Sequence, residues 1–410
     1  MKEFKVAIIG GGSAGMIAAI AASKNSKNSI ILLEKTDSLG KKLLLTGGGR
    51  CNITNSSSIK EHLKLINNKN FLKHSFYSFS NEDLLELFKK KGLDFKEEKN
   101  NRIFPKTNDS RSVLNILKEY LNELNVKINL KFEVSKITKE NNHFIINNSI
   151  KVSKIILSTG GITYPQTGSS GDGYKIAKNF NHTITNIKHG LVPLIVKDKY
   201  LNELSGITLE NIEVSYGKYS STKEVLISHF GISGPGILDI SNKIVENIDY
   251  NILEKNKAIF KNIFIKIDFY PKMTLENLNI KIINDISLNG KTKIKNYLKN
   301  YLPNKFIDFF LKKTEINGDK TLSNIGKKDK NKIINNLKEF KIEVKGIYKD
   351  LSKITIGGIA IKDINPKTME SKIIKNLYFA GEILEPYSIS GGYNLQIAFS
   401  TAYLAGESTK

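Results

Sequence analysis

A chain of 410 residues with 40% hydrophobic content can bury more than one core, so two or three domains are expected and a fibrous or disordered chain is excluded. Its single cysteine, Cys51, rules out an internal disulfide framework and fits a reducing compartment; with no targeting or membrane segment in view, a cytoplasmic protein is expected. The formal charge of +23 rests on 63 basic residues, of which only three are arginine (Arg50, Arg102, Arg111), and the abundance of Asn and Ile beside them points to a coding bias that enriches lysine everywhere.

The chain opens on the run Val6-Ala-Ile-Ile-Gly-Gly-Gly-Ser-Ala-Gly15, and Glu34 ends the next apolar run 24 residues after Gly10. A strand, a glycine turn, a helix from Ser13 to about Ser23, a second strand and a terminal carboxylate make one βαβ unit with dinucleotide-binding spacing. Gly10 lets the chain turn out of the strand, Gly12 lets the backbone approach a pyrophosphate, and Gly15 lets the helix pack closely on the sheet. Ser13 and Ala14 begin a helix whose unsatisfied amides face the phosphates, and Glu34 is placed to accept from ribose hydroxyls. Ala19-Ile20-Ala21 has the form of a signal-peptidase site, but the three glycines before it make a poor hydrophobic region.

Farther on, periodicity predicts helices over 81–91 and 110–124, an extended segment at Arg102-Ile-Phe-Pro105, and strands at 126–130, 131–137 and 143–146. Lys154-Ile-Ile-Leu157 reads as a buried strand delivering Ser158-Thr-Gly-Gly161 to a ligand. From Leu191 to about Ile248 the texture is one of short strands and turns, with candidates at 192–196, 208–214 and 224–227. Residues 273–341 carry helical periodicity broken at Asn289-Gly290, Pro303 and Asn317-Gly318. Strand character returns at 342–348, 353–361 and 376–381, and a helix runs from about Gly392 to Ala405.

Two further glycine clusters flank this framework: Gly40 to Thr54, which contains Thr46-Gly-Gly-Gly-Arg-Cys-Asn52, and Ala380-Gly-Glu382 followed by Ser390-Gly-Gly-Tyr-Asn-Leu-Gln396. Each alone reads equally as turns; together with the amino-terminal fingerprint they describe an extended FAD site rather than a nicotinamide site. The amides at Gly392 to Leu395 would then face the pyrimidine edge of the isoalloxazine, where negative charge develops on reduction. No second fingerprint is present, so NADH or NADPH would act as a transient donor without a Rossmann domain of its own.

The blocks Lys42 to Asn52, Thr159 to Gly173, His229 to Pro235, Asn365 to Glu370 and Gly391 to Gln396 resemble, in order, those of the BaiN/YhiN-like flavoproteins, the aminoacetone-oxidase-like FAD-binding proteins. The resemblance implies an α/β fold: a Rossmann-like, glutathione-reductase-like FAD-binding domain over 1–190 and 350–410, interrupted by a β-barrel-like domain over 191–250 and 341–349 that carries a helical insertion over 251–340. It implies cofactor contacts from Gly10, Gly12, Ser13, Ala14, Gly15, Glu34, Lys35, Lys42, Gly48, Arg50, Asn52, Val134, Thr159, Gly160, Gly381, Glu382, Gly392, Asn394 and Leu395, and no metal. One departure is the segment Glu385-Pro-Tyr-Ser388, where relatives usually carry aspartates.

Hydride delivery to an activated C=C bond requires a proton donor to the neighbouring carbon. Cys51, beside Arg50 whose charge would favour a thiolate, is the first candidate, with a small residue filling a tight loop as the alternative. His229 on a glycine-rich turn is the second, or simply a satisfied turn histidine. Tyr164 and Tyr393 could donate or only stack.

The resemblance covers reduction of dehydro bile acids and of uridine in large-subunit ribosomal RNA. Residues 251–340 carry 19 lysines against 9 acidic residues, net +10, which fits an RNA polyanion better than a sterol. The expectation is therefore an rRNA uridine reductase with no membrane association. A small-molecule enone reductase or amine oxidase is the alternative, and a non-catalytic flavin-containing RNA-binding factor the reading of another class.

Overall fold

The computed structural model describes residues 1–24, 29–248 and 257–410. They form two compact units, one of Met1–His189 with Lys353–Lys410 and the other of Gly190–Ser352.

The first unit is built on a seven-stranded sheet. Lys127–Asn129, Ile30–Leu33, Lys2–Ile9 and Ile150–Leu157 lie side by side and parallel, Leu377–Phe379 adds parallel to Ile150–Leu157, and the hairpin Ile137–Glu140/His143–Ile146 extends the sheet antiparallel. Its register is what builds the site. Ile9 is opposite both Leu33 and Leu157, and Phe379 is opposite Leu157, so Gly10, Glu34, Ser158 and Ala380 emerge together at the carboxyl edge. Ligands of open α/β sheets bind at such an edge.

The Ser13–Ser23 helix is buried all round from Ala14 to Ala22, because it lies between this sheet and the closing helix Tyr393–Glu407. Small residues permit that approach: a Cβ at Gly406 would sit 2.5 Å from the Ala18 carbonyl oxygen. Beside the sheet, Thr54–Asn55, Arg102–Pro105 and Phe95–Glu98 form a three-stranded antiparallel ladder. The expected strand over 131–137 is absent. Instead the Asn147 side chain accepts from the Ser135 and Lys136 amides, and pairing begins only at Ile137.

In the second unit eight strands pair in an order that runs from Thr208–Leu209 at one end to Tyr219–Ser221 at the other. No ladder joins those two end strands among the described residues. Three elements differ from the sequence reading. The expected strand over 208–214 divides into Thr208–Leu209 and Glu213–Tyr216, which lie apart in the strand order. Pro235–Glu246 is a helix with Pro at its first turn, lying where only strands and turns are expected. Phe264–Asp268, inside the segment read as helical, is a strand pairing with Glu213–Tyr216 and Phe340–Ile347. The helices Leu275–Leu288, Asn304–Thr314 and Lys327–Lys338 follow the expected periodicity.

Candidate flavin site

The three fingerprint glycines do three different things. Gly10 has φ +103, and a Cβ there would lie 2.6 Å from the Ser158 carbonyl oxygen, so only glycine lets the two strand ends pass. At Gly15 a Cβ would lie 1.8 Å from the Gly10 oxygen, which makes it the close-packing position. At Gly12 a Cβ would meet nothing within 4 Å, and the helix it opens has no side-chain cap. Open space in front of uncapped helix amides is what a diphosphate requires.

Around that opening the polar groups converge. Glu34, 8% exposed, accepts from the Gly11 amide at 2.7 Å and the Thr36 amide at 2.7 Å. Each carboxylate oxygen keeps a further lone pair for ribose hydroxyls. Lys35 pairs with Asp172 at 2.5 Å, holding that carboxyl below the usual range, and also donates to Ser170. Lys42 donates to Glu382 at 2.5 Å and to Thr163 at 2.6 Å, while Glu382 accepts from the Thr355 amide at 2.8 Å. Thr159 Oγ1 is buried without a partner, next to Gly160 in a left-handed conformation. Gly381, φ +80, approaches Ala14 so closely that a Cβ would lie 2.7 Å from its methyl. Val134 is buried two residues after Phe132, whose amide donates to the Glu34 carbonyl.

At the other end, Gly392 (φ +95) opens the 15-residue closing helix without a side-chain cap, and a Cβ there would strike the Thr54 carbonyl oxygen at 2.3 Å. Asn52, with its oxygen turned toward Gly392, accepts from that amide at 3.1 Å and donates to Thr54 O at 3.0 Å. Both ends of the Asn394 amide hold the Ser388–Ile389 loop, so this residue offers a ligand its backbone, with half-buried Leu395 following. Gly48 faces open space. An orphaned hydroxyl, an open glycine, a buried carboxylate and two uncapped helix starts fit an extended FAD.

The thiolate expectation is corrected. Arg50 turns away from Cys51, donating to Glu98 at 2.8 Å with its guanidinium 4.1 Å from the centre of the Phe104 ring. Cys51 is 0% exposed, and burial pushes its thiol up to about 12 against a small opposing effect of the Thr46 hydrogen bond. Iodoacetamide at pH 8 should therefore leave the folded protein unlabelled and label it fully in guanidinium; mass spectrometry reads both, and native labelling would contradict the sealed thiol.

His229 is exposed on the turn between Val225–Ser228 and Gly231–Ser233, edge-on to Phe230 at 4.9 Å, and belongs to the second unit. Tyr164 belongs to the flavin-type unit, half-buried at φ +58, its phenol oxygen accepting from Lys353 Nζ at 2.8 Å. Sequence reasoning missed His62. It is 1% exposed, its Nε2–H donates to Asn55 O at 3.1 Å, its Nδ1 has no partner, and it lies edge-on to Tyr393 at 5.0 Å. Burial lowers its pKa, against the opposing effects of the Asn55 hydrogen bond and the nearby Glu61 carboxylate. A histidine inside a short polar helix carries no local signal of such a placement.

No helix among the described residues is long and apolar enough to cross a membrane, and no group of residues there could hold a metal ion. The chain is 26% identical over 99% of its length to a ribosomal RNA dihydrouridine synthase of Escherichia coli, covering 98% of that protein. It is 29% identical over 97% of its length to the same-named protein of Haemophilus influenzae, covering 96%. To the 3-dehydro-bile acid delta(4,6)-reductase of Clostridium scindens it is 28% identical over 98% of both chains. In fold it matches a flavocytochrome c3 fumarate reductase in an open conformation, with a TM-score of 0.50 at 16% identity, over 100% of this chain and 78% of that one. A family model described as the HI0933-like protein Rossmann domain matches residues 4–408. With the glycine roles, the carboxyl-edge crevice and a match over nearly its whole length in agreement, the chain belongs to the HI0933-like Rossmann family of FAD-dependent oxidoreductases.

Proposed function

We propose that this protein reduces uridine to dihydrouridine in large-subunit ribosomal RNA in the cytoplasm, drawing electrons from NADH or NADPH. Two relatives aligned over nearly their full length carry the name ribosomal RNA dihydrouridine synthase, and uracil offers a double bond polarised by a carbonyl. FAD, when bound, supplies the hydride chemistry; the protein supplies grip, exclusion of water and a proton.

The observation that carries RNA over a small enone is electrostatic. In the second unit the acids are largely spent on neighbouring lysines: Asp268 on Lys338, Asp308 on Lys295, Asp319 on Lys293 and Glu339 on Lys266. Lys261, Lys272, Lys291, Lys299, Lys305 and Lys327 remain exposed, with no ion pair among the described residues. Such a surplus supports a polyanion, because phosphate neutralisation dominates RNA affinity. The second reading, a small-molecule enone reductase, is favoured by the bile-acid reductase relative.

Among the expected proton donors, Tyr164 is the one this arrangement favours. Cys51 is sealed, whereas the Tyr164 oxygen accepts from Lys353 and leaves its own O–H free to donate. Deleting the gene should abolish dihydrouridine in large-subunit rRNA, read by nucleoside mass spectrometry. Wild-type complementation should restore it, while Tyr164→Phe should slow it about 100-fold or more, the range of a lost general acid. Undiminished dihydrouridine in the deletion strain would remove the RNA substrate; full restoration by Tyr164→Phe would remove the donor.

A further inference from the structure

Sixty of the 63 basic residues are lysine, so wherever a plain positive charge suffices this chain writes lysine. Its three arginines are the exceptions. Arg111 has a local partner, Asp109, at the start of the Ser110–Glu123 helix and is 77% exposed. The other two converge on one ring: the guanidinium carbon of Arg50 lies 4.1 Å from the centre of Phe104 and that of Arg102 lies 5.8 Å from it.

The three-stranded ladder explains how Arg102 comes to the ring that Arg50 covers. Register sets Glu98 and Asn55 opposite Arg102 and Lys96 opposite Phe104, so Lys96, Glu98, Arg102 and Phe104 share one face by strand alternation. Arg50 reaches this face from the glycine loop, and Glu98 is claimed by Arg50 at 2.8 Å and Lys96 at 3.1 Å. Arg102 is left over. Its Nε donates to the Lys99 carbonyl at 3.0 Å, no carboxylate lies within ion-pair range among the described residues, and its terminal nitrogens keep their donors. Two cations thus share one anion and a third has none, on a face reached from the loop that holds Gly48 and Gly49, where a Cβ would meet nothing within 4 Å.

A planar guanidinium differs from an ammonium in two ways: it stacks on an aromatic ring and it grips two oxygens of one phosphate at once. We propose that Arg50, Arg102 and Lys96 form a phosphate clamp for the single RNA strand that carries the reduced nucleotide. This rests on the rRNA reading above. Lysines of the second unit supply bulk attraction, which tracks charge alone; the clamp fixes a phosphodiester in one orientation.

The test measures binding of a fluorescein-labelled 20-nucleotide oligouridylate to the FAD-loaded protein by anisotropy across a KCl series. Arg102→Ala should raise Kd about tenfold and reduce the slope of log K against log salt by about 0.7, the value for one contact to a single strand. Arg102→Lys should keep that slope yet still bind several-fold more weakly. Wild-type affinity in Arg102→Ala overturns the clamp, and wild-type affinity in Arg102→Lys overturns its dependence on a guanidinium. If Arg102→Ala instead loses FAD while its loaded fraction binds RNA normally, the phosphate served is the cofactor's own and the RNA clamp is overturned. A flavin-loaded wild type that binds no RNA overturns the rRNA reading itself and the clamp with it.

Discussion

Gly15→Ala should cost this protein its fold before it costs it the cofactor. The added methyl would stand 1.8 Å from the Gly10 carbonyl oxygen and 2.9 Å from Ser158 Oγ, both fixed by the register of the central strands. Relief requires moving the Ser13–Ser23 helix, which is wedged between the sheet and the closing helix and has no free side to move toward. Overpacking of a well-filled core costs about 1–3 kcal/mol, and a backbone oxygen with no rotamer to yield puts this position at the upper end. Gly12→Ala should do the opposite. Its φ of −76 suits alanine and its Cβ faces open space, so the apoprotein should melt within a degree or two of wild type. What it should lose is FAD, because a methyl would occupy ground that the diphosphate needs. Apoprotein melting and FAD titration on both variants separate the roles; a Gly12→Ala protein that keeps full FAD affinity would place the diphosphate elsewhere.

That contrast also marks how far the sequence could be read. Gly10, Gly12, Gly15 and Glu34 were legible because their roles are local: a βαβ unit fixes its own turn, and the spacing to Glu34 is set by one helix and one strand. The extended segment Arg102–Pro105 was legible for a similar reason, as an apolar pair bounded by Pro. The Pro235–Glu246 helix was not, since Gly234-Pro235-Gly236 reads as a turn. The fold uses Gly234 at φ +89 to enter and Pro235 as a first-turn residue whose missing N–H costs nothing. Phe264–Asp268 sits among helical segments and becomes a strand because edges on both sides await it, a tertiary demand invisible to periodicity. Arg50 shows the limit most plainly. Its sequence neighbour is Cys51, but its electrostatic partner is Glu98, and nothing within a local window connects them.

The largest effect in the second unit should come from Phe340→Ala. Phe340 is fully buried at the head of the Phe340–Ile347 strand, stacked on Phe310 at 5.7 Å and edge-on to Phe306 at 5.4 Å, Phe309 at 5.8 Å and Phe269 at 6.0 Å. The Asn304–Thr314 helix and Phe269, the residue after the Phe264–Asp268 strand, thus meet through one ring, and the neighbours are themselves rigid aromatics that cannot collapse into the space. Truncations of this kind cost about 3–5 kcal/mol, and the lost edge-to-face pairs favour the upper end. The flavin-type unit has its own core, to which none of these rings belongs. Melting followed by far-ultraviolet circular dichroism should show a transition lowered by on the order of 10 °C, while release of bound flavin, read by fluorescence, should shift less. Phe340→Leu, which refills most of the volume, should recover more than half of the loss. If both signals fall together and by the same amount, the two units unfold as one, and the lysine-bearing unit cannot be weakened without the flavin site.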